Sequence, residues 1–106
     1  MEYELRANKQ TLIVSVRGEL DHHYADMIRQ KIDGELLSVR FKNLVFDFSG
    51  LTFMDSSGIG LVMGRYKLMK SLGGKIRVQN LSPGAYKVMC LAGIERLGEV
   101  KQKEVI

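Results

Sequence analysis

The sequence predicts an α/β domain. Its sheet is mixed and four- to five-stranded, begun by an antiparallel hairpin and continued by parallel strand–helix–strand units with helices packed on it. Three observations carry this expectation. After two consecutive strand-like runs, the second rich in β-branched residues, strand-like segments alternate with segments of helical periodicity. Glycine, or a Ser-Pro pair, stands at many of the changeovers. The chain has 106 residues, 45% of them hydrophobic and 26% charged. That suits one ordinary core, so residues 1–106 read as a single domain.

Tyr3 to Ala7 alternates weakly and reads as the first strand, and Asn8-Lys9-Gln10 suits a hairpin turn. Thr11 to Val16 is a stronger strand, closed by Gly18. Asp21 is placed to cap a helix on which Ala25, Ile28, Ile32 and Leu36 recur as a buried stripe. Gly34 weakens that helix without forbidding it. Asn43 to Phe48 is apolar enough for a central strand, and Ser49 to Thr52 reads as a loop. In the next helix Ile59, Val62, Met63, Tyr66, Met69 and Leu72 share one face, and Arg65, Lys67 and Lys70 share another. Leu61, Gly64 and Leu68 make a second apolar strip, expected at the surface. Gly73-Gly74 ends the helix as a left-handed cap. Lys75 to Val78 is a short strand. Ser82 caps a third helix with Pro83 just inside its start, and Gly93 ends it. Glu99 to Ile106 is expected to hold a last short edge strand. In so short a chain, helices are expected to cover only one face of the sheet well.

Composition narrows the function. The net charge is +4, but the basic residues are spread along the chain, so no direct nucleic-acid partner is expected. Cys90 is the only cysteine. It reads as a core residue and allows neither an intramolecular disulfide nor a cysteine zinc site. The N-terminus has no apolar signal region, and no stretch is long enough for a membrane span, so a cytoplasmic protein is expected. Asp21, His22 and His23 lack metal-ligand spacing, and no metal is expected.

The run Phe53-Met54-Asp55-Ser56-Ser57-Gly58-Ile59-Gly60 stands out. It sets an acid and two hydroxyls where a strand gives way to a helix. Unpaired N–H groups and the helix dipole make that position a natural phosphate seat. Capping alone would also explain the residues, at about 0.5–2 kcal/mol. Gly58 and Gly60 keep the first turn low, which lets a partner approach. A dinucleotide fingerprint fails because its third glycine would fall on Met63. No Walker loop is present, and Met54 and Asp55 break a nucleophile elbow. No catalytic residue and no cofactor are therefore expected. The residues themselves leave open whether a phosphate arrives on a ligand or by covalent attachment.

Several separated motifs resemble the anti-sigma factor antagonists of the STAS domain family. They are Gly18-Glu19-Leu20-Asp21-His22-His23, Leu51 to Gly60, Gly64-Arg65-Tyr66-Lys67, Gly73-Gly74, Ser82-Pro83 and Ala92-Gly93-Ile94. The resemblance covers nearly the whole chain and implies the STAS fold. It departs at the C-terminus, where the family often carries a further helix and this chain stops at Ile106. The histidine pair and the Gly-Arg-Tyr-Lys stretch favour the sporulation branch. A general-stress antagonist is the alternative, with a nucleotide-binding enzyme a distant third.

The resemblance implies a regulated binder rather than an enzyme. Its unphosphorylated form would capture an anti-sigma factor that is also a serine kinase, releasing the sporulation sigma factor, sigma F. The kinase would inactivate it by phosphorylating Ser56, directly after the motif aspartate, and a serine phosphatase would reset it. Local chemistry does not separate Ser56 from Ser57. Asp55 is expected to orient the loop and polarise the hydroxyl, and Ser57 and Gly58 to shape the start of the helix. Ile59 and Leu61 are rival candidates for the partner-facing position beside Gly60. Glu19 and His22 are expected to rim the same surface.

Overall fold

The computed structural model describes residues 1–104. Strands β1 (Glu2–Asn8) and β2 (Thr11–Leu20) form the hairpin, followed by α1 (His22–Ser38), β3 (Asn43–Met54) and α2 (Ser56–Ser71). Then come β4 (Lys75–Leu81), α3 (Pro83–Leu91), a 3-10 turn at Ile94–Arg96 and β5 (Glu99–Gln102). The five strands lie in chain order, β1-β2-β3-β4-β5. β1 is antiparallel to β2, and every later pair is parallel. Successive right-handed crossovers in such an order return each helix to the same face.

Register puts the core residues in rows. Leu12, Leu44 and Ile76 are neighbours across β2, β3 and β4, as are Val14, Phe46 and Val78. All six are buried and face the helices together with Ala25, Ile28, Ile32 and Leu36 of α1. The alternate residues point the other way because side chains on a strand change faces with period two. Ile13, Val45 and Asp47 are half-buried, and Arg77 is exposed. One face of the sheet is thus covered and the other stays open among the described residues, as expected for this length.

Several expectations change. Ser49 to Thr52 is strand rather than loop, because β2 also runs on to Leu20 and offers a ladder. Arg17 pairs with Gly50, Gly18 with Leu51, Glu19 with Phe53 and Leu20 with Met54, with register shifts on either side of Gly18. Gly50 fits because a Cβ there would stand 2.6 Å from Cγ of Arg17. β4 likewise continues past Val78 to Leu81.

The buried stripe assigned to α2 is also incomplete. Leu61, expected on an exposed strip, is 4% exposed, and Arg65, grouped with Lys67 and Lys70 on another face, is 8% exposed. The helix packs on α1 as well as on the sheet, so two of its sides are covered. The short turn containing Ile94 was not foreseen. Of the expected last strand, Glu99–Gln102 forms, while Val105 and Ile106 lie outside the described residues.

Candidate functional site

Leu20 and Met54 are register partners at the ends of two adjacent parallel strands. One capping residue follows each, and then a helix, so the first turns of α1 and α2 stand side by side. Asp21 caps α1, its carboxylate accepting from the Tyr24 N–H at 3.0 Å. Asp55 caps α2 by accepting from the Ser57 N–H at 2.8 Å. The Asp55 N–H ties the two helix starts together by donating to the Leu20 carbonyl at 3.3 Å. Each helix therefore presents its positive end at the same edge of the sheet, and neither has an acidic residue in its first turn.

The serines occupy different environments on that edge. Ser56 is the first residue of α2 and is exposed. Ser57 is half-buried, and its Oγ lies 3.5 Å from Nδ1 of His22 on the neighbouring helix. Gly58 is buried because the first turn lies directly on β3. A Cβ there would stand 2.3 Å from Cγ and 2.4 Å from Sδ of Met54. Gly60 is exposed with nothing near a Cβ, so it opens the surface without being demanded by packing. Ile59 is half-buried against the core. Leu61 lies lower, on the floor of a groove between α1 and α2 whose walls include His22, Asp26, Arg29 and Arg65. Of the two rival positions Ile59 is the more exposed. Glu19 is exposed on the same rim, opposite Phe53.

The groove is cross-linked by charge. Arg29 donates to Asp26 at 2.7 Å, and that hydrogen bond chiefly holds the Asp26 carboxyl below its ordinary range. Arg65 Nε lies 2.9 Å from Asp33 Oδ1. Neither atom has a hydrogen bond of acceptable geometry, so the contact is ionic rather than directional. Burial lowers the Arg65 guanidinium from its ordinary value, and the Asp33 charge opposes that shift.

Sequence reasoning missed Phe53, which is 55% exposed beside the site. Reading the preceding residues as loop hid its position. It borders a second groove, at the start of α3, whose lining includes Met54, Ala85 and Val88 and no charged side chain. Among the described residues, no group of three His, Cys, Asp or Glu side chains is arranged to hold a metal ion. No helix there is long and apolar enough to cross a membrane.

A mixed sheet with helices on one face, and an Asp-capped, serine-bearing helix start at its edge, defines a known class: the chain belongs to the STAS domain family, which matches residues 2–105. Within that class it is similar to the anti-sigma F factor antagonist of Paenibacillus polymyxa. The two are 33% identical over 105 residues, 99% of this chain and 90% of the relative. Among solved structures, it superimposes on the anti-sigma factor antagonist SpoIIAA in its unphosphorylated form with a TM-score of 0.85. Identity is 32%, covering 93% of this chain and 87% of that one. The phosphorylated form of the Bacillus cell fate determinant SpoIIAA gives a TM-score of 0.79 at 32% identity, covering 93% and 90%.

Proposed function

We propose that this chain is an anti-sigma factor antagonist of the sporulation type, switched by phosphorylation of Ser56. The observation that carries the reading is the position of Ser56. It is exposed, directly follows the capping Asp55 and begins a helix. The relatives support it, since one is an anti-sigma F factor antagonist and SpoIIAA has been solved in a phosphorylated form. Unphosphorylated, the chain binds an anti-sigma factor that is also a serine kinase and so releases sigma F. That kinase phosphorylates Ser56, and a serine phosphatase restores the binding form. The chain itself acts as a binding surface rather than as a catalyst and is taken to work in the cytoplasm.

The docking surface is the pair of helix starts. Glu19, His22, Asp55, Ser56, Ser57, Ile59 and Gly60 form its face, Gly58 supplies backbone, and Leu61 forms the groove floor. A phosphate on Ser56 would add about −1.5 to −2 charges at pH 7. The first turn of α2 tolerates that charge because its N–H groups and dipole favour an anion. At the interface the same group is bulky and must lose water. A cost of ~4 kcal/mol would weaken binding nearly a thousandfold. The switch thus works by blocking the interface, with the domain's own backbone unchanged.

The test incubates the protein with ATP and a sporulation anti-sigma factor kinase and maps phosphate by mass spectrometry. Phosphate is expected on Ser56 and at most as a trace in Ser56→Ala. Ser56→Asp should bind the anti-sigma factor at least tenfold more weakly, roughly the effect of one unpaired charge at an interface. Unchanged affinity would remove the electrostatic account. Parallel binding to a general-stress anti-sigma factor separates the two branches, and nucleotide turnover by the isolated chain would revive the enzyme reading.

A further inference from the structure

Ser56 and Ser57 carry the same hydroxyl on consecutive residues of one helix turn, so a kinase that reaches one is within a few ångströms of the other. The fold treats them differently. The Ser56 hydroxyl is exposed and has no hydrogen-bond partner among the described residues, whereas the Ser57 hydroxyl faces α1 and meets the His22 imidazole. Asp55 anchors the Ser57 backbone N–H at 2.8 Å, which fixes where that side chain starts. His22 is anchored too, as the first residue of α1 behind the capping Asp21.

We propose that His22 is a positioning residue that confines phosphorylation to Ser56 by engaging the hydroxyl of Ser57. This rests on the phosphoacceptor reading above and adds the residue that sets its specificity. The contact of 3.5 Å is at the long end for a hydrogen bond, and the exposed ring can rotate to shorten it. Either neutral tautomer engages the hydroxyl: an unprotonated Nδ1 accepts its proton, and a protonated one donates to its oxygen.

Phosphoryl transfer needs that hydroxyl free. The serine Oγ attacks the γ-phosphorus of ATP held by the kinase, and an Oγ–P bond forms. The bond to the β,γ-bridging oxygen breaks, ADP leaves, and the hydroxyl proton passes to a base of the kinase. The attacking and leaving oxygens must lie roughly in line. Ser56 offers an approach from solvent, while Ser57 must turn away from His22 and present past the start of α1.

The opposite role for the same contact is activation, with His22 as a general base for Ser57. The two roles give opposite results in one experiment. Wild type, Ser56→Ala, His22→Ala and the Ser56→Ala/His22→Ala double variant are each incubated with the kinase and ATP, and the fraction of phosphate at each serine is read by tandem mass spectrometry. The ratio between the two sites does not depend on how well the kinase binds overall. Expected are phosphate overwhelmingly on Ser56 in wild type with a minor Ser57 share, at most trace phosphate in Ser56→Ala, and a Ser57 share raised roughly tenfold in His22→Ala, the worth of about one hydrogen bond. The double variant should accept phosphate on Ser57. Ser57 phosphate in Ser56→Ala that disappears with His22 would establish activation and overturn the proposal. So would a Ser57 share unaltered by His22→Ala. An unmodified wild type would remove the phosphoacceptor reading itself, and this inference with it.

Discussion

The first turns of α2 and α3 are built from the same parts and end as different surfaces. Each follows a parallel strand, and each is capped by a side-chain oxygen. Asp55 accepts from the Ser57 N–H at 2.8 Å, and Ser82 from the Ala85 N–H at 3.2 Å. Each first residue, Ser56 or Pro83, is exposed. Their neighbours differ. Beside α2 stands the start of α1, with its capping Asp21 and with His22, Asp26 and Arg29 on the groove. Beside α3 stands the end of β3, where Phe53 is 55% exposed and faces the groove with Val88 of α3, 44% exposed. A cap therefore makes a helix start, and the neighbouring element decides whether that start opens onto a groove walled by charged side chains or onto one that has none.

The largest stability test of this contrast removes what ties α2 to α1. Asp33→Ala leaves the buried Arg65 guanidinium without its carboxylate and close to Arg29. The Asp33 side chain is 23% exposed, so the loss is expected at about 2 kcal/mol rather than the full penalty of a buried pair. Urea denaturation would measure it. Adding Arg65→Met should recover most of the loss, because no unpaired charge remains. A loss within about 0.5 kcal/mol of zero would mean that apolar packing alone joins the helices.

A smaller effect separates the two first turns. Gly58→Ala drives a Cβ into Met54 and should destabilise by about 1–2 kcal/mol, the overpacking cost less the usual helix gain over glycine. Gly84→Ala meets nothing within 4 Å and should be neutral or slightly stabilising. If both behaved alike, the close seating of α2 on β3 would not distinguish one helix start from the other.

The smallest test concerns the caps. Asp55→Ala and Ser82→Ala should each cost about 1 kcal/mol in stability. Only Asp55→Ala should also weaken anti-sigma factor binding in a titration, since Asp55 alone holds the serine-bearing turn. Equal weakening by Ser82→Ala would extend the docking surface to the groove beside α3.

How much was legible varied with whether apolar side chains alone mark the buried face. The α1 stripe was read at Ala25, Ile28, Ile32 and Leu36, all buried, because apolar residues make up the whole of it, although the helix meets both α2 and β2. α2 meets both the sheet and α1. Its fully buried residues, Gly58, Leu61, Val62, Arg65 and Met69, still follow helical spacing, but on a stripe rotated from the apolar one read through Ile59, Met63 and Tyr66, because a glycine and an arginine complete it. Ser49 to Thr52 carries loop-like residues, and its strand exists because β2 supplies a ladder from another part of the chain. Phe53 was hidden by the same error. The caps Asp21 and Ser82, by contrast, act within three residues and were plain from spacing.

By itself, then, the sequence determined what acts over short range: the order of strands and helices, the caps and turn glycines, and the α1 stripe. Its motifs also carried the family and pointed to the Asp55–Gly60 run. Tertiary structure alone decided which α2 residues are buried and how far β3 extends. It also decided that His22 stands against Ser57, although 35 positions separate them. Local propensity and periodicity register only a residue's chain neighbours. The different environments of Ser56 and Ser57 arise from a strand pairing that sets two helix starts side by side.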